Sequence, residues 1–196
     1  VREGLLLPAD ELNYFNGVLP DEEHYIACAC DVAWGGSDST SMPIGAVFSD
    51  RVYIIGWVFN NGDKYVTRPK VADAILEYKP QKVAIEGNNG GTEYAEDIDT
   101  MIREKGFKTN IQTPKASTRI SKEAKIIQYA SDIKREFYFL SPDKQPLEYK
   151  KAMEEVTMYT QLGKNPFDDG IDSLVQLYQL IDDSRVARVE AYSFRI

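Results

Sequence analysis

Three β-rich apolar runs in direct succession, at 25–33, 42–48 and 52–59, precede an alternation of helical and strand patterns, and few folds accommodate that order. Ser49-Asp50-Arg51 joins the second and third runs as a hairpin turn, and Gly35-Gly36-Ser37-Asp38-Ser39 turns the chain between the first two. A helical stripe over 66–78 (Val71, Ala74, Ile75, Tyr78) stops at Pro80. A short buried strand is expected at 82–86, a helix at 92–105 ended by Gly106, and a strand at 107–113. A helix at 121–135 follows, with Ala124, Ile127 and Ala130, joined by Ile126 and Ile133, on its apolar side. Residues 137–140 read as a brief edge strand, and 147–160 and 170–182 as helices. The first three strands can form an antiparallel meander, whereas the later strand–helix–strand units require right-handed parallel crossovers. The expected fold class is therefore α/β, a mixed sheet of five to six strands with helices on both faces. Residues 1–24, with Pro8, Pro20 and no sustained period, read as a linker or peripheral arm before one domain over 25–196.

Three acidic sites fall where these patterns end or begin. Asp31 closes the run Tyr25-Ile-Ala-Cys-Ala-Cys-Asp. Glu86 follows Val83-Ala-Ile and precedes Gly87-Asn-Asn-Gly-Gly, and Asp168, Asp169 and Asp172 surround a helix start in Phe167-Asp-Asp-Gly-Ile-Asp-Ser-Leu. A carboxylate at the inner end of an apolar strand is costly unless something positive compensates it. Three such sites along one α/β pattern point to a shared metal centre. Mg2+ and Mn2+ take oxygen ligands that are ionised at neutral pH and fixed on rigid elements. A strand followed by a glycine-rich loop is how α/β proteins present functional groups at strand ends, and glycines let a phosphate backbone approach. An Asp at a helix start caps by default, but three exceed what capping needs. On the helical wheel Ile171, Leu174, Val175 and Tyr178 define the core face; Asp168 lies nearest to it, Asp172 at its border and Asp169 further off. Asp168 accordingly ranks first of the three as a ligand. Asp38, after two glycines, reads first as a turn residue and second as a group supporting a ligand from outside the metal's own shell.

Composition removes other chemistries. His24 is the only histidine, which argues against a multi-histidine zinc site or a catalytic triad. Cys28 and Cys30 sit two apart on one strand face, a poor geometry for a disulfide, and read as buried core thiols. No apolar run approaches the roughly 20 residues of a membrane helix, and no secretory signal pattern is present. The net charge of −8 counts against a phosphate binder, although bound dications invert the sign of a carboxylate cluster. Arg119, Lys122 and Lys125 gather near one helix end as candidate phosphate contacts, with a solvated helix start as the equally weighted alternative.

Taken in order, Asp31-Val-Ala-Trp-Gly-Gly-Ser-Asp38, Val83-Ala-Ile-Glu-Gly-Asn-Asn-Gly-Gly and Phe167-Asp-Asp-Gly-Ile-Asp172-Ser-Leu resemble the nuclease domain of the large terminase subunit of tailed bacteriophages. The resemblance implies a ribonuclease H-like fold and a metal-dependent endonuclease that cuts double-stranded concatemeric viral DNA during packaging, using two Mg2+ or Mn2+ ions. It implies that Asp31 bridges both ions, that Glu86 is the glutamate after the fourth strand, and that Asp168, Asp169 and Asp172 form the late acidic group. Implied partners are double-stranded DNA, an ATPase domain, the small terminase subunit and the portal, without a membrane. The implied location is the packaging complex in the host cell cytoplasm, not the mature virion. The chain opens on Val1 and has no Gly-x-x-x-x-Gly-Lys-Ser/Thr loop, as expected of a nuclease domain without its motor. The alternatives are another ribonuclease H-like nuclease (a Holliday-junction resolvase or transposase), an actin- or sugar-kinase-like nucleotide binder, and a non-catalytic packaging or assembly module.

Overall fold

A computed structural model describes residues 3–193. Seven strands, β1 (Asn13–Phe15), β2 (Tyr25–Cys30), β3 (Thr40–Val47), β4 (Val52–Asn60), β5 (Lys82–Ile85), β6 (Asn110–Gln112) and β7 (Phe137–Leu140), form one sheet in the order β1-β7-β4-β3-β2-β5-β6. The meander β2-β3-β4 is antiparallel, and the pairs β2·β5, β5·β6, β4·β7 and β1·β7 are parallel. Five helices intervene or follow: α1 (Lys64–Tyr78), α2 (Gly91–Glu104), α3 (Lys122–Glu136), α4 (Leu147–Met158) and α5 (Asp169–Ser193).

The alternation of side chains along β2 and β5 divides the core. Cys28, Cys30, Val83 and Ile85 face α1 and α2, packing with Val71, Ile75, Tyr94 and Ile98. Ala27, Ala29 and Ala84 face the other way, into the layer formed by α3, α4 and α5. These inward residues are small because α5 lies across β2, β3 and β5. Gly45 belongs to the same seam: a β-carbon there would stand 2.9 Å from Val52 Cγ1 and 3.3 Å from Leu177 Cδ2 of α5.

Four expectations change. The sheet has seven strands because 1–24 is not simply an arm: Leu7 and Leu12 are buried and β1 pairs with β7. As a result β7 is not an edge; β1 covers one side of it and β4 the other. A three-residue strand carries too little periodicity to be recognised, and only its partner reveals it. On α3 the core face is Ile126, Ala130 and Ile133, whereas Ala124 and Ile127 are exposed. The last helix begins at Asp169 and continues to Ser193, beyond the apolar stripe that marked its expected end.

Candidate metal centre

The register of the two central parallel strands builds the site. Cys30 pairs with Ile85, so Asp31 and Glu86, each one residue further on, emerge side by side at the carboxyl end of the sheet. By the period of two they share the face of Ala29 and Ala84, the face that α5 covers. Backbone bonds fix both positions: Asp31 and Ser41 exchange N–H···O bonds of 2.9 Å, and Glu86 N–H donates to Cys30 O at 3.2 Å. The small residues beneath α5 let its first turns come down on this pair. The carboxylates of Asp31, Glu86 and Asp172 consequently lie within 4.8 Å of one another.

The late acidic group is thereby resolved into three different surroundings. Asp172 is 9% exposed and joins Asp31 and Glu86. Asp169 is also buried, and its Oδ2 accepts the Ser39 N–H at 2.8 Å, tying the helix start to the turn after β2. Asp168 precedes the helix, half-buried, with its Oδ1 3.0 Å from Lys122 Nζ. The wheel ranking placed Asp168 first of the three; in the structure it is Asp172 that joins the three-carboxylate group. Asp168 and Asp172 share a side of the helix one turn apart, and Lys122 Nζ lies between Asp168, Asp172 and Asp31. Asp38 is exposed and lines the cleft beside Asp169, without contributing to the three-carboxylate group.

Groups not anticipated from the sequence hold these acids in place. Gln176 Nε2 donates to Glu86 Oε2 at 3.1 Å and to Asp172 Oδ2 at 3.3 Å, and Asn88 Nδ2 donates to Glu86 Oε1 at 3.2 Å. The spacing 168, 172, 176 was the available signal for Gln176, since residues four apart stack on one helix face. Ser41 and Ser173 hydroxyls share a 2.7 Å hydrogen bond, and Trp57 Nε1–H donates to Ser41 Oγ at 2.9 Å, locking β3 to α5 beneath the site.

Electrostatically the site is a surplus of buried negative charge around one cation. Burial raises the Asp31 carboxyl well above the usual range; Asp172, Asp169 and Glu86 add to this and Lys122 opposes it. Burial, against the Ser39 N–H and Lys122, also raises Asp169. Lys122 Nζ lies 3.1 Å from Asp172 and 4.0 Å from Asp31 as well as near Asp168. Burial disfavours its charge, but these carboxylates outweigh that and hold the ammonium above its ordinary pKa. Lys122 and Lys125 line the cleft, while Arg119 is exposed and is not among the residues lining it. The basic group expected near one helix end is thus split, its strongest member drawn into the acids.

Glu155 of α4 is a further carboxylate that no motif marked. Its Oε1 accepts the Gly170 N–H at 2.7 Å, bracing the second residue of α5. Burial raises its pKa from 4.5 to about 7, opposed by that bond and reinforced by Asp169 and Asp168. A folded pKa above the unfolded one makes the native state the stronger proton binder. This contribution is therefore whole below about 4.5 and lost as pH rises through about 7. In chelator, Glu155→Gln retains an oxygen for Gly170 and is expected to raise stability at pH 8 by about 2 kcal/mol after solvent screening. Urea unfolding from pH 5 to 8 checks it: the wild type declines over that range and the variant stays flatter.

A mixed sheet ordered in this way, with carboxylates at two adjacent parallel strand ends and a helix closing over them, is that of a ribonuclease H-like domain. Residues 30–136 match the family described as Terminase Bacteriophage T7, Ribonuclease H-like domain, and the chain belongs to that family of terminase domains. No curated protein sequence matches it. Among solved structures it is similar to the nuclease domain of human cytomegalovirus terminase, Mn-soaked and inhibitor-bound (14% identity, TM-score 0.65, 94% of this chain and 98% of that one). It is similar also to the nuclease domain of the P22 large terminase (17%, 0.61, 92% and 93%). The large terminase of a thermophilic bacteriophage, solved with ADP, matches over 87% of this chain and 43% of its own length (14%, 0.54). At these identities the likenesses show the fold.

Proposed function

We propose that the chain is a divalent-metal-dependent endonuclease that hydrolyses double-stranded concatemeric viral DNA during genome packaging. One observation carries this reading: Asp31, Glu86 and Asp172, from two strand ends and one helix, bring their carboxylates within 4.8 Å in a chain of the terminase family. An all-carboxylate donor set suits hard cations such as Mg2+ or Mn2+. Asp31, Glu86 and Asp172 would hold one ion, and Asp31 with Asp168 and Asp169 a second. Bound there, such ions acidify a water for in-line attack and stabilise the leaving oxygen.

The chain's own groups orient and balance this site. Gln176 and Asn88 hold the Glu86 carboxylate, and the Ser39 N–H aims Asp169. Lys122 offsets part of the negative charge, and Lys115 and Lys125 line the cleft where phosphate oxygens would lie, with Arg119 further out. In the full machine the domain, β1 included, would act beside an ATPase motor on the side of its first residues. The small subunit and portal would be its companions, in the host cell cytoplasm.

Relaxation of supercoiled plasmid tests this reading. Nicking is expected with Mn2+ and none with excess chelator. Asp172→Asn is expected to lose more than about a hundredfold in rate, and Asp168→Asn, which removes one of three ligands proposed for the second ion and none of the first, about tenfold. Chelator-resistant nicking, or undiminished nicking by Asp172→Asn, rejects the assignment.

A further inference from the structure

We propose that Trp34 is a platform on which an unpaired DNA base stacks beside the cleavage site, so that the cleft prefers DNA whose strands are locally separated; this rests on the nuclease reading above. The two tryptophans have opposite surroundings. Trp57 is 7% exposed and its indole N–H is bonded to Ser41. Trp34 is 44% exposed, and among the described residues its indole N–H has no hydrogen-bond acceptor. It follows Asp31 by three residues and lines the same cleft as Asp31, Glu86, Asn88 and Asp172.

Trp34 is exposed but braced. Tyr94, itself 1% exposed and bonded through its hydroxyl to Thr67 Oγ1 at 3.0 Å, meets the indole edge to face, 6.1 Å between centroids at 86°. Gly90 packs so closely that a β-carbon there would stand 2.9 Å from Trp34 Cζ2. Gly35 and Gly36, at φ 99° and 94°, turn the chain sharply away behind it. A large aromatic held in place in this way, yet 44% exposed and next to carboxylates, presents an open π-face and a free donor to the cleft. Bases within a duplex have their π-faces covered by their neighbours, so only an unpaired base can lie flat on an indole. Stacking of this kind does not depend on charge, which suits a chain of net charge −8 whose cleft repels phosphates until cations enter.

Two measurements on this chain test the platform. With Ca2+ as the cation, an oligothymidylate is expected to quench tryptophan emission, and Trp34→Phe, which leaves only buried Trp57, is expected to abolish the quench. With Mn2+, the wild type is expected to cut a duplex carrying an unpaired bulge faster than the same duplex fully paired. Trp34→Ala is expected to lower that ratio about tenfold, and Trp34→Phe to retain most of it. An unchanged ratio in Trp34→Ala, or an undiminished quench in Trp34→Phe, overturns the proposal. A wild type that is quenched but cuts neither duplex supports the platform and overturns the nuclease reading instead.

Discussion

Asp31→Asn is expected to lower Mn2+-dependent plasmid nicking by more than about a thousandfold while leaving the fold intact, because it removes the one carboxylate that both proposed ions would share. The backbone of residue 31 keeps its two bonds to Ser41 whatever the side chain. The asparagine also removes a carboxyl that burial and the charges of Asp172, Asp169 and Glu86 disfavour. In chelator the melting temperature is therefore expected to equal or exceed that of the wild type. Calorimetric titration with Mn2+ supplies the second readout, a marked loss of binding heat. A variant that folds and nicks at the wild-type rate sinks the role given to Asp31.

Gly91→Ala is expected to cost about 3 kcal/mol and to reduce nicking by about a hundredfold, although the residue carries no functional group. Gly91 opens α2, its N–H donating to Asn88 O at 3.0 Å, and a β-carbon there would collide with the carbonyl oxygen of Glu86. Relief requires the loop 86–90 to shift, and that loop already contains Asn89 at φ 51° and Gly90 at φ 88°. The Glu86 carboxylate would leave Asp31 and Asp172. Gly106→Ala is the control: its φ of 80° carries backbone strain, but nothing lies within 4 Å of the added carbon. It is expected to lose about 1 kcal/mol without loss of nicking. Equal loss of nicking in both variants would mean that global instability, not displacement of Glu86, lowers the activity of Gly91→Ala.

Much of the architecture was legible because the patterns are local. The meander, the crossover units and the placement of Asp31 and Glu86 at strand ends follow from short-range periodicity and turn chemistry, and β2, β5 and the helix boundaries before α5 agree to within a few residues. The misreadings share one cause. β1 is three residues long and exists only because β7 offers it a partner; on α3, Ile126 and Ile133 are buried while Ile127 is not, because of where α5 lies. The surroundings of Lys122 were equally out of reach: the sequence offered a phosphate contact or a solvated helix start with equal weight, and the fold sets it beside Asp31, Asp168 and Asp172.

The sequence by itself determined which residues end strands and which begin the last helix, since alternation and capping are properties of neighbouring residues. The small residues Ala27, Ala29, Ala84 and Gly45 take on their meaning, a sheet face that admits a helix at close range, only once α5 lies against them. Only the tertiary structure decided that Asp172, rather than Asp168, meets Asp31 and Glu86, and that Gln176 and Asn88 hold them. The reason is geometric: one turn of helix is about 5.4 Å, more than the span of the three-carboxylate group, and the height at which α5 settles on the sheet is fixed by packing far from the acids themselves.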